Sequence, residues 1–369
     1  MRIAYISLHW PRAKTSSIGK KIDLQTGIWR SCGHEVRFFS HMHLYDDPAG
    51  LVEGDYFIYQ SRGRGLLVTE TSRMRAMGRL IRELEAYQPD IIYLRWGMYV
   101  HPLKRIFCIA PVAVEVNTND VEEHRMLGMS KSLYNRLTRA ITLQSAAGHL
   151  FPTHELSELQ VFTRFNRPFR VISNGIDITK VKPIPAPSNP VPHLVFIGTP
   201  GMPWHGVEKL VPLAERFTDI IIDIVGYDGI PNHPALPPNL HLHGLLEGAE
   251  YERVLEHADA AIGSMSLHCN HMQEAAPLKV RDCAARGIPC ILPYRDTDLD
   301  DLDTPCILKI PNSPDNILQA GQQVHDFVHA MRGKRLERHL VEPRIDAREK
   351  EGQRLAFMGS MLENHPAIQ

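Results

Sequence analysis

Short apolar runs alternate with longer amphipathic stretches along the first half of the chain. RIAYISL (2–8) leads into a helical span ending at Cys32, then HEVRFFS (34–40) and YFIYQS (56–61) follow. The stretch SRMRAMGRLIRELEAYQ (72–88) has the apolar spacing of a helix and runs into DIIYLRW (90–96), with PVAVEVN, a helical span from Met129 to Ala147, GHLFPT and FRVISNG after it. Period-two runs separated by period-3.6 stretches predict βαβ units, and so a parallel, doubly wound sheet. Residues 183–192, PIPAPSNPVP, interrupt the pattern with five prolines in ten positions, which predicts an exposed, semi-rigid connection. The same alternation then restarts with HLVFIGTPG, a helix from Val207 to Phe217, IIIDIVGYDG, NLHLHGLL, a helix from Tyr251, DAAIGSM, a helix from Leu278 to Arg286, and PCILPY. The prediction is an α/β chain of two Rossmann-like domains, residues 1–182 and 183–343. A final segment, 344–369, is read as a helix packing back on the first domain. Ligands of such sheets bind beyond the carboxyl ends of the strands, so the loops after Ser7, Asn117, Gly198 and Gly226 are the places to look for chemistry.

Composition narrows the classes. The 369 residues are 43% hydrophobic and 22% charged, a globular profile with material for two cores. The sequence has no apolar run long enough for a membrane span and no signal-like start, so a cytoplasmic protein is expected. Six cysteines without a C-x-x-C pair read as reduced, mostly buried thiols and not as a disulfide framework or zinc site. Charge is uneven: residues 1–182 carry 25 Lys and Arg against 17 Asp and Glu, net +8, and the remainder carries 16 against 25, net −9. A basic half either meets an anionic lipid surface, an anionic glycan or nucleic acid, or is simply solvated. No nucleic-acid module or internal repeat is present.

The densest chemistry lies in MQEAAPLKVRDCAARGIPCIL, residues 272–292. It sets Glu274 before a small-residue turn (Ala275, Ala276, Pro277), starts a helix at Leu278 and Lys279, places Asp282 one turn in, and stops at Gly287 before a strand. Exposed amides at a helix N-terminus form a phosphate site, and Lys279 adds a full positive charge there. Asp282 is spaced to accept both hydroxyl protons of a ribose on that phosphate. Glu274 falls where a sugar beyond a diphosphate would sit. An acid pair at this spacing also occurs as two solvated charges.

This segment resembles the GT-B-fold retaining glycosyltransferases of family 4, whose signature is an acid, seven residues and a second acid, then a small-residue helix and Gly-x-Pro. Glu274, Asp282 and Arg286-Gly287-Ile288-Pro289 fit it, with Asp282 standing where the family usually has Glu. VISNGID (171–177), LVFIGTPGMPWHGV (194–207), DIVGYD (223–228) and His243-Gly244-Leu245 follow in the order of the family's domain-closing turn, phosphate loop, nucleotide-side turn and base-framing loop. The resemblance covers about residues 171–292. It implies two domains facing each other across a cleft, with the donor held by Gly198, Thr199, His205, Gly226, Gly244, Leu245, Ala276, Pro277, Leu278, Lys279 and Asp282. Many relatives carry an Arg and a Lys near the opening glycine that touch the diphosphate; here those positions hold Thr199 or Pro200, and His205, so Trp204-His205-Gly206 reads as a variant.

In the first half the resemblance is thinner. Ser16, Ser17, Ile18 and Gly19 occupy the place of a glycine-rich turn, with Gly19 the candidate for meeting the donor phosphate. Asn117 stands where many relatives have a His near the sugar and can hydrogen-bond a hydroxyl but not act as a base. Arg95 and Tyr99 are candidates for the acceptor side, and an ordinary loop role is open for each of the four. His268 and His271, spaced i, i+3 near Glu274, lack further ligands, and no metal is expected. His241 and His243 should share the outer face of a strand. Arg73–Arg82 and Lys131–Arg139 are basic helical stretches that suit either anionic lipid or a wet helix face.

The resemblance implies transfer of a sugar from a nucleoside diphosphate to an acceptor hydroxyl of a glycan, glycolipid or small molecule. Anomeric configuration is retained, Glu274 orients the sugar, and neither cofactor nor metal takes part. Rivals are a nucleotide-sugar epimerase on the same fold and a non-catalytic sugar-binding protein.

Overall fold

The computed structural model describes residues 1–8, 17–43, 52–60, 65–126 and 128–364. They form two α/β units: unit 1 holds Met1–Ile172 and the C-terminal stretch from Ala347, and unit 2 holds Ser173–Asp346.

Unit 1 runs β1 (Arg2–Ser7), α1 (Ser17–Ser31), β2 (Glu35–His43), β3 (Asp55–Tyr59), α2 (Leu66–Tyr87), β4 (Ile91–Arg95), β5 (Val112–Glu115), α3 (Asp120–Met126), α4 (Met129–Ser145), β6 (Gly148–Phe151), α5 (His154–Glu158), α6 (Gln160–Thr163) and β7 (Phe169–Val171). Its strands pair in parallel in the order β3-β2-β1-β4-β5-β6-β7. Unit 2 runs β8 (His193–Ile197), α7 (Leu210–Arg216), β9 (Ile221–Val225), β10 (Leu240–Leu242), α8 (Gly248–His257), β11 (Ala260–Ile262), β12 (Glu274–Ala275), α9 (Leu278–Ala285), β13 (Cys290–Leu292), β14 (Arg295–Asp296), β15 (Ile307–Lys309), α10 (Asn316–Met331) and α11 (Arg338–Ile345). Its main sheet is also parallel, in the order β10-β9-β8-β11-β13-β15, and β12 pairs with β14 as a separate two-strand ladder. No described helix is long and apolar enough to cross a membrane.

The last helix, α12 (Ala347–Asn364), belongs to unit 1. Its Phe357, Met358 and Met361 join the core around Tyr5, Trp29, Phe38 and Tyr93. Those four rings pack with centroids 5.0–5.7 Å apart, each worth roughly 1.5–3 kcal/mol by burial. Buried Glu351 of α12 accepts hydrogen bonds from Trp29 Nε1 (2.9 Å), Gln25 Nε2 (3.2 Å) and Arg354 Nη1 (2.6 Å). A helix that satisfies the interior polar groups of α1 is part of that core, not an appendage.

Three expectations change. The division falls ten residues before the expected 182/183, because residues 173–182 bond to unit 2: Ser173 Oγ donates to Asp298 (2.6 Å) and Asn174 Nδ2 to the Ala276 carbonyl (2.8 Å). The proline-rich stretch is not a free connection either. Ile184 and Asn189 are buried, the Ile184 N–H donates to the Arg286 carbonyl (3.0 Å), and Asn189 Nδ2 donates to Asp259 (2.9 Å). Of the cysteines, Cys283, Cys290 and Cys306 are buried, but Cys32, Cys108 and Cys269 are exposed.

Candidate functional site

The sheet of unit 2 starts at β8, winds outward through β9 and β10, then reverses to β11 on the other side of β8. The loops after β8 and β11 therefore flank a topological switch point, where open α/β sheets bind ligands. The loops after β8 and β9 pack closely there. A side chain at Gly226, whose φ is +97°, would come within 2.1 Å of the Gly198 carbonyl oxygen, and one at Gly198 would strike the Tyr227 and Phe196 rings. Glycine is required at both positions. The Gly226 N–H donates to the Gly244 carbonyl (2.6 Å) and the Gly244 N–H to the Tyr227 carbonyl (3.1 Å), joining three of the expected donor residues in one turn cluster. Leu245, next in line, is 83% exposed.

α9 begins at Leu278 after Pro277, with no side-chain cap and no acid in its first turn, so its leading amides are uncapped. Lys279 in that turn reaches back along the helix, as helical side chains do. Its Nζ is buried, has no hydrogen-bond partner, and lies 4.5 Å from the centre of the Phe196 ring of β8. Burial depresses its pKa to about 7. The other enclosed lysines are satisfied: Lys21 Nζ is 2.7 Å from Glu115, and Lys209 Nζ donates to the carbonyls of Met265 and Ser313 and to Asn316 Oδ1 at 2.9–3.0 Å. An ammonium enclosed with only a ring face for company is costly, and it sits beside uncapped amides. Both features select an anion.

His205 lies at the end of a short 3₁₀ turn, Pro203–His205. Its Nδ1 accepts the Thr199 N–H at 3.1 Å, and Tyr227 Oη, which donates to the Thr199 carbonyl (2.9 Å), is 3.1 Å from the same nitrogen. An amide can only donate, so this bonding assigns the ring proton to Nε2. Burial, with Lys279 nearby, pulls the His205 pKa down to about 3. The ring offers a neutral N–H donor and no positive charge, and the charge of this cluster rests on Lys279.

Glu274 is buried on β12, in register with Arg295 of β14. The loop from Ala276 to Pro277 is held by a group the sequence did not single out. Arg281, fully buried, donates to Asp296 (2.6 and 2.8 Å), to Asp298 (2.5 Å) and to the Asn174 carbonyl (3.2 Å), while Asn174 holds the Ala276 carbonyl. One guanidinium fork thus ties α9, β14 and the segment after Ser173 around the turn that follows Glu274. Asp282 is also engaged. Its Oδ2 accepts from Tyr251 Oη (2.6 Å) and its Oδ1 from Arg286 Nε (3.1 Å), and Arg286 itself grips Glu252. Each Asp282 oxygen keeps one lone pair for a further donor. Arg281 looked like one more cation on a short helix, and its partners lie 15 and 17 residues on, so no spacing rule marked it.

In unit 1, Arg95, at the end of β4, and Asn117, just beyond β5, come together. Arg95 Nη1 lies 3.0 Å from Glu115 and 2.9 Å from Asn117 Oδ1, and Lys21 completes the group on the other Glu115 oxygen. Burial alone would raise the Glu115 pKa, but Lys21 and Arg95, with Arg354 adding to them, outweigh it and hold the carboxylate ionised far below its ordinary range. Tyr99 is buried, and its carbonyl accepts from Tyr134 Oη (3.2 Å). Gly19 is in the first turn of α1, and Ser16 lies outside the described residues.

Other expected residues have local roles. His241 is exposed and His243 half-exposed, yet both point at buried Asp223: His243 Nε2 is 2.7 Å and His241 Nδ1 3.6 Å from Oδ1, and His193 Nδ1 is 2.7 Å from Oδ2. The shared strand face is thus an anchoring face, not a purely solvent one. Arg139, expected on a wet helix face, is buried in an ion pair with Asp120 at 2.7 Å. The His268 main chain is held by Asn312 (3.0 Å).

No family model and no curated protein matches this chain. Solved structures do. A sucrose-phosphate synthase from Thermosynechococcus elongatus superposes with a TM-score of 0.72 at 15% identity, covering 99% of this chain and 100% of that one. The lipopolysaccharide outer core galactosyltransferase WaaB in its apo form gives 0.67 at 15% identity, over 98% and 100%. The catalytic domain of starch synthase IV from Arabidopsis thaliana, bound to ADP and acarbose, gives 0.66 at 12% identity, over 98% and 99%. At such identities the likeness speaks for architecture, and the architecture of this chain is the GT-B fold, two α/β units each built on a parallel sheet.

Proposed function

We propose that this protein is a retaining, metal-independent glycosyltransferase of the family-4 type, moving a sugar from a nucleoside diphosphate to a hydroxyl of a glycan, glycolipid or small molecule. The observation that carries the reading is Lys279, an enclosed ammonium without a hydrogen-bond partner beside the uncapped start of α9, in a fold whose neighbours are glycosyltransferases. A diphosphate supplies the missing negative charge, and the helix amides and the Nε2–H of His205 supply neutral donors to its oxygens. Asp282 takes ribose hydroxyl protons on its remaining lone pairs, and Glu274 orients the sugar. As the glycosidic bond breaks, charge grows on the departing diphosphate, and the Lys279 ammonium stabilises it where it develops. Asn117 hydrogen-bonds a hydroxyl of the transferred sugar, Arg95 and Tyr99 serve the acceptor side, and no protein nucleophile is used.

The test incubates the purified protein with labelled nucleotide sugars, with and without candidate acceptors, and reads released nucleoside diphosphate and glycoside product. Product that forms only with acceptor supports transfer, whereas an isomerised nucleotide sugar formed without one would replace this reading with epimerisation. Glu274→Gln is expected to lower turnover by about a hundredfold, while nucleoside diphosphate binding by calorimetry stays within about twofold.

The basic half of the chain has a surface suited to a lipid acceptor. On α4, Met129 (88%), Leu133 (58%) and Leu137 (71%) are exposed at i, i+4, i+8, the helix carries no acid, and Lys131 and Arg136 are exposed with them. Such a face docks on an anionic membrane surface. Leu133→Glu combined with Leu137→Glu should reduce co-sedimentation with phosphatidylserine-containing vesicles by at least about tenfold and leave transfer to a water-soluble acceptor unchanged. Equal sedimentation of both proteins would remove lipid from the proposal.

A further inference from the structure

α10 buries Ile317, Ala320, Val324, Phe327 and Val328 against unit 2, and this spacing leaves His325 and His329, one turn apart, on an adjoining face. Both rings turn toward Asp219 in the loop between α7 and β9. His325 Nε2 lies 3.1 and 3.0 Å from the two Asp219 oxygens, and His329 Nε2 lies 3.0 Å from Oδ2. One ligand atom from each residue falls within 4.8 Å of the other two, the only such grouping of three metal-ligating side chains among the described residues.

The rings are held in place. His325 stacks on Phe217 (centroids 4.5 Å apart, planes 22° apart), and its Nδ1 lies 3.2 Å from Asp326 Oδ1, which also accepts from Gln322 Nε2 (2.9 Å). A carboxylate on the far nitrogen is the outer-shell partner that metal-ligating histidines use to aim the near one. Around an ion at about 2.0–2.2 Å, ligand atoms stand roughly 3.0–3.4 Å apart; both nitrogen-to-Asp219 separations fall in that range, and the three ligand atoms all lie within 4.8 Å of one another. Asp219 is 58% exposed and His329 38%, so an ion and its remaining water ligands have access.

We infer that Asp219, His325 and His329 form a binding site for one borderline divalent transition-metal ion, of the zinc, cobalt or nickel class. Two imidazoles and one carboxylate select such ions over magnesium or calcium, which prefer oxygen-only shells. The ion staples α10 to the loop entering β9. Its place is separate from the donor residues: Asp219 precedes the five-residue β9 and Gly226 follows it, so the two lie at opposite ends of a strand roughly 17 Å long.

The test uses the full chain stripped with EDTA. Calorimetry with Zn²⁺ and the visible absorption of Co²⁺ compare the wild type with His329→Ala and Asp219→Asn. The chain has 20 histidines, so the readout is the loss of one tight site and not the presence of some binding. The wild type should bind one Zn²⁺ with micromolar or better affinity, gain at least about 2 °C in Tm, and give a Co²⁺ spectrum absent with Mg²⁺. Each variant should lose that site by at least tenfold while keeping the wild-type Tm in EDTA. Equal zinc stoichiometry and affinity in all three proteins, or no saturable binding by the wild type, would overturn the assignment.

Discussion

Lys279→Met is expected to lower kcat/KM by about a thousandfold and, in the same variant, to raise the melting temperature at neutral pH. The first effect follows from losing the only full positive charge that the described residues bring to the proposed diphosphate site, a loss on the scale of removing a preorganised oxyanion donor, about 3–4 kcal/mol. The second follows from linkage. The folded-state pKa of about 7 lies below the ordinary 10.5, so the unfolded chain binds more protons between those values. Stability therefore rises as pH climbs from about 7 toward 10.5. At pH 7 and below, folding carries the full cost of enclosing that ammonium, and a methionine of similar shape does not. The same pKa sets the pH dependence of ligand affinity. Only the protonated lysine pairs with the diphosphate, so the nucleoside diphosphate should bind about fivefold more weakly at pH 8 than at pH 7, and the variant should lose that dependence. Calorimetry across pH 6–9 and a thermal melt measure all of this. A variant that is both less stable and equally active would remove Lys279 from the site.

Arg281→Met should do the reverse, and its damage should reach the whole of unit 2. It strands the Asp296 carboxylate, fully buried, and that of Asp298, nearly so, without their cation. Breaking a buried pair from one side costs about 3–5 kcal/mol, a large share of the stability of a unit of this size. Because Arg281 also holds the Asn174 carbonyl, and Asn174 holds Ala276, the turn between Glu274 and Lys279 loses its support. Denaturant melts should show the loss directly, with no detectable nucleoside diphosphate binding even where the protein remains folded. Arg281→Lys should recover little, since an ammonium cannot reproduce the fork.

The alternating βα grammar was legible because period-two apolar runs and amphipathic helices are local properties, and the ladder of parallel strands follows from them. The helix start after Glu274 was legible for a related reason: the acid, the small-residue turn and the first helical residues are close in sequence. What stayed hidden is long-range polar pairing. Nothing near Arg281 announces Asp296 and Asp298, nothing near Arg139 announces Asp120, and the convergence of Arg95, Lys21 and Asn117 on Glu115 needs α1, β4 and β5 brought side by side. The proline-rich stretch misled because composition reports backbone stiffness but not whether Ile184 and Asn189 find partners. The Asp219 group escaped notice because the carboxylate lies more than 100 residues from the histidines that face it.

Since unit 2 is one uninterrupted stretch and unit 1 is made of the two flanking pieces, the protein is in effect a domain inserted into another just before its final helix. The ribosome finishes unit 2 while Trp29 and Gln25 still await Glu351, and while the cluster around Tyr5 and Phe38 lacks Phe357, Met358 and Met361. Unit 2 can close on its own chain as it emerges, whereas unit 1 must hold an open apolar face until the last helix is released. The order of completion thus runs opposite to the order of synthesis: the second unit matures first, and the first unit is the one exposed to misassembly.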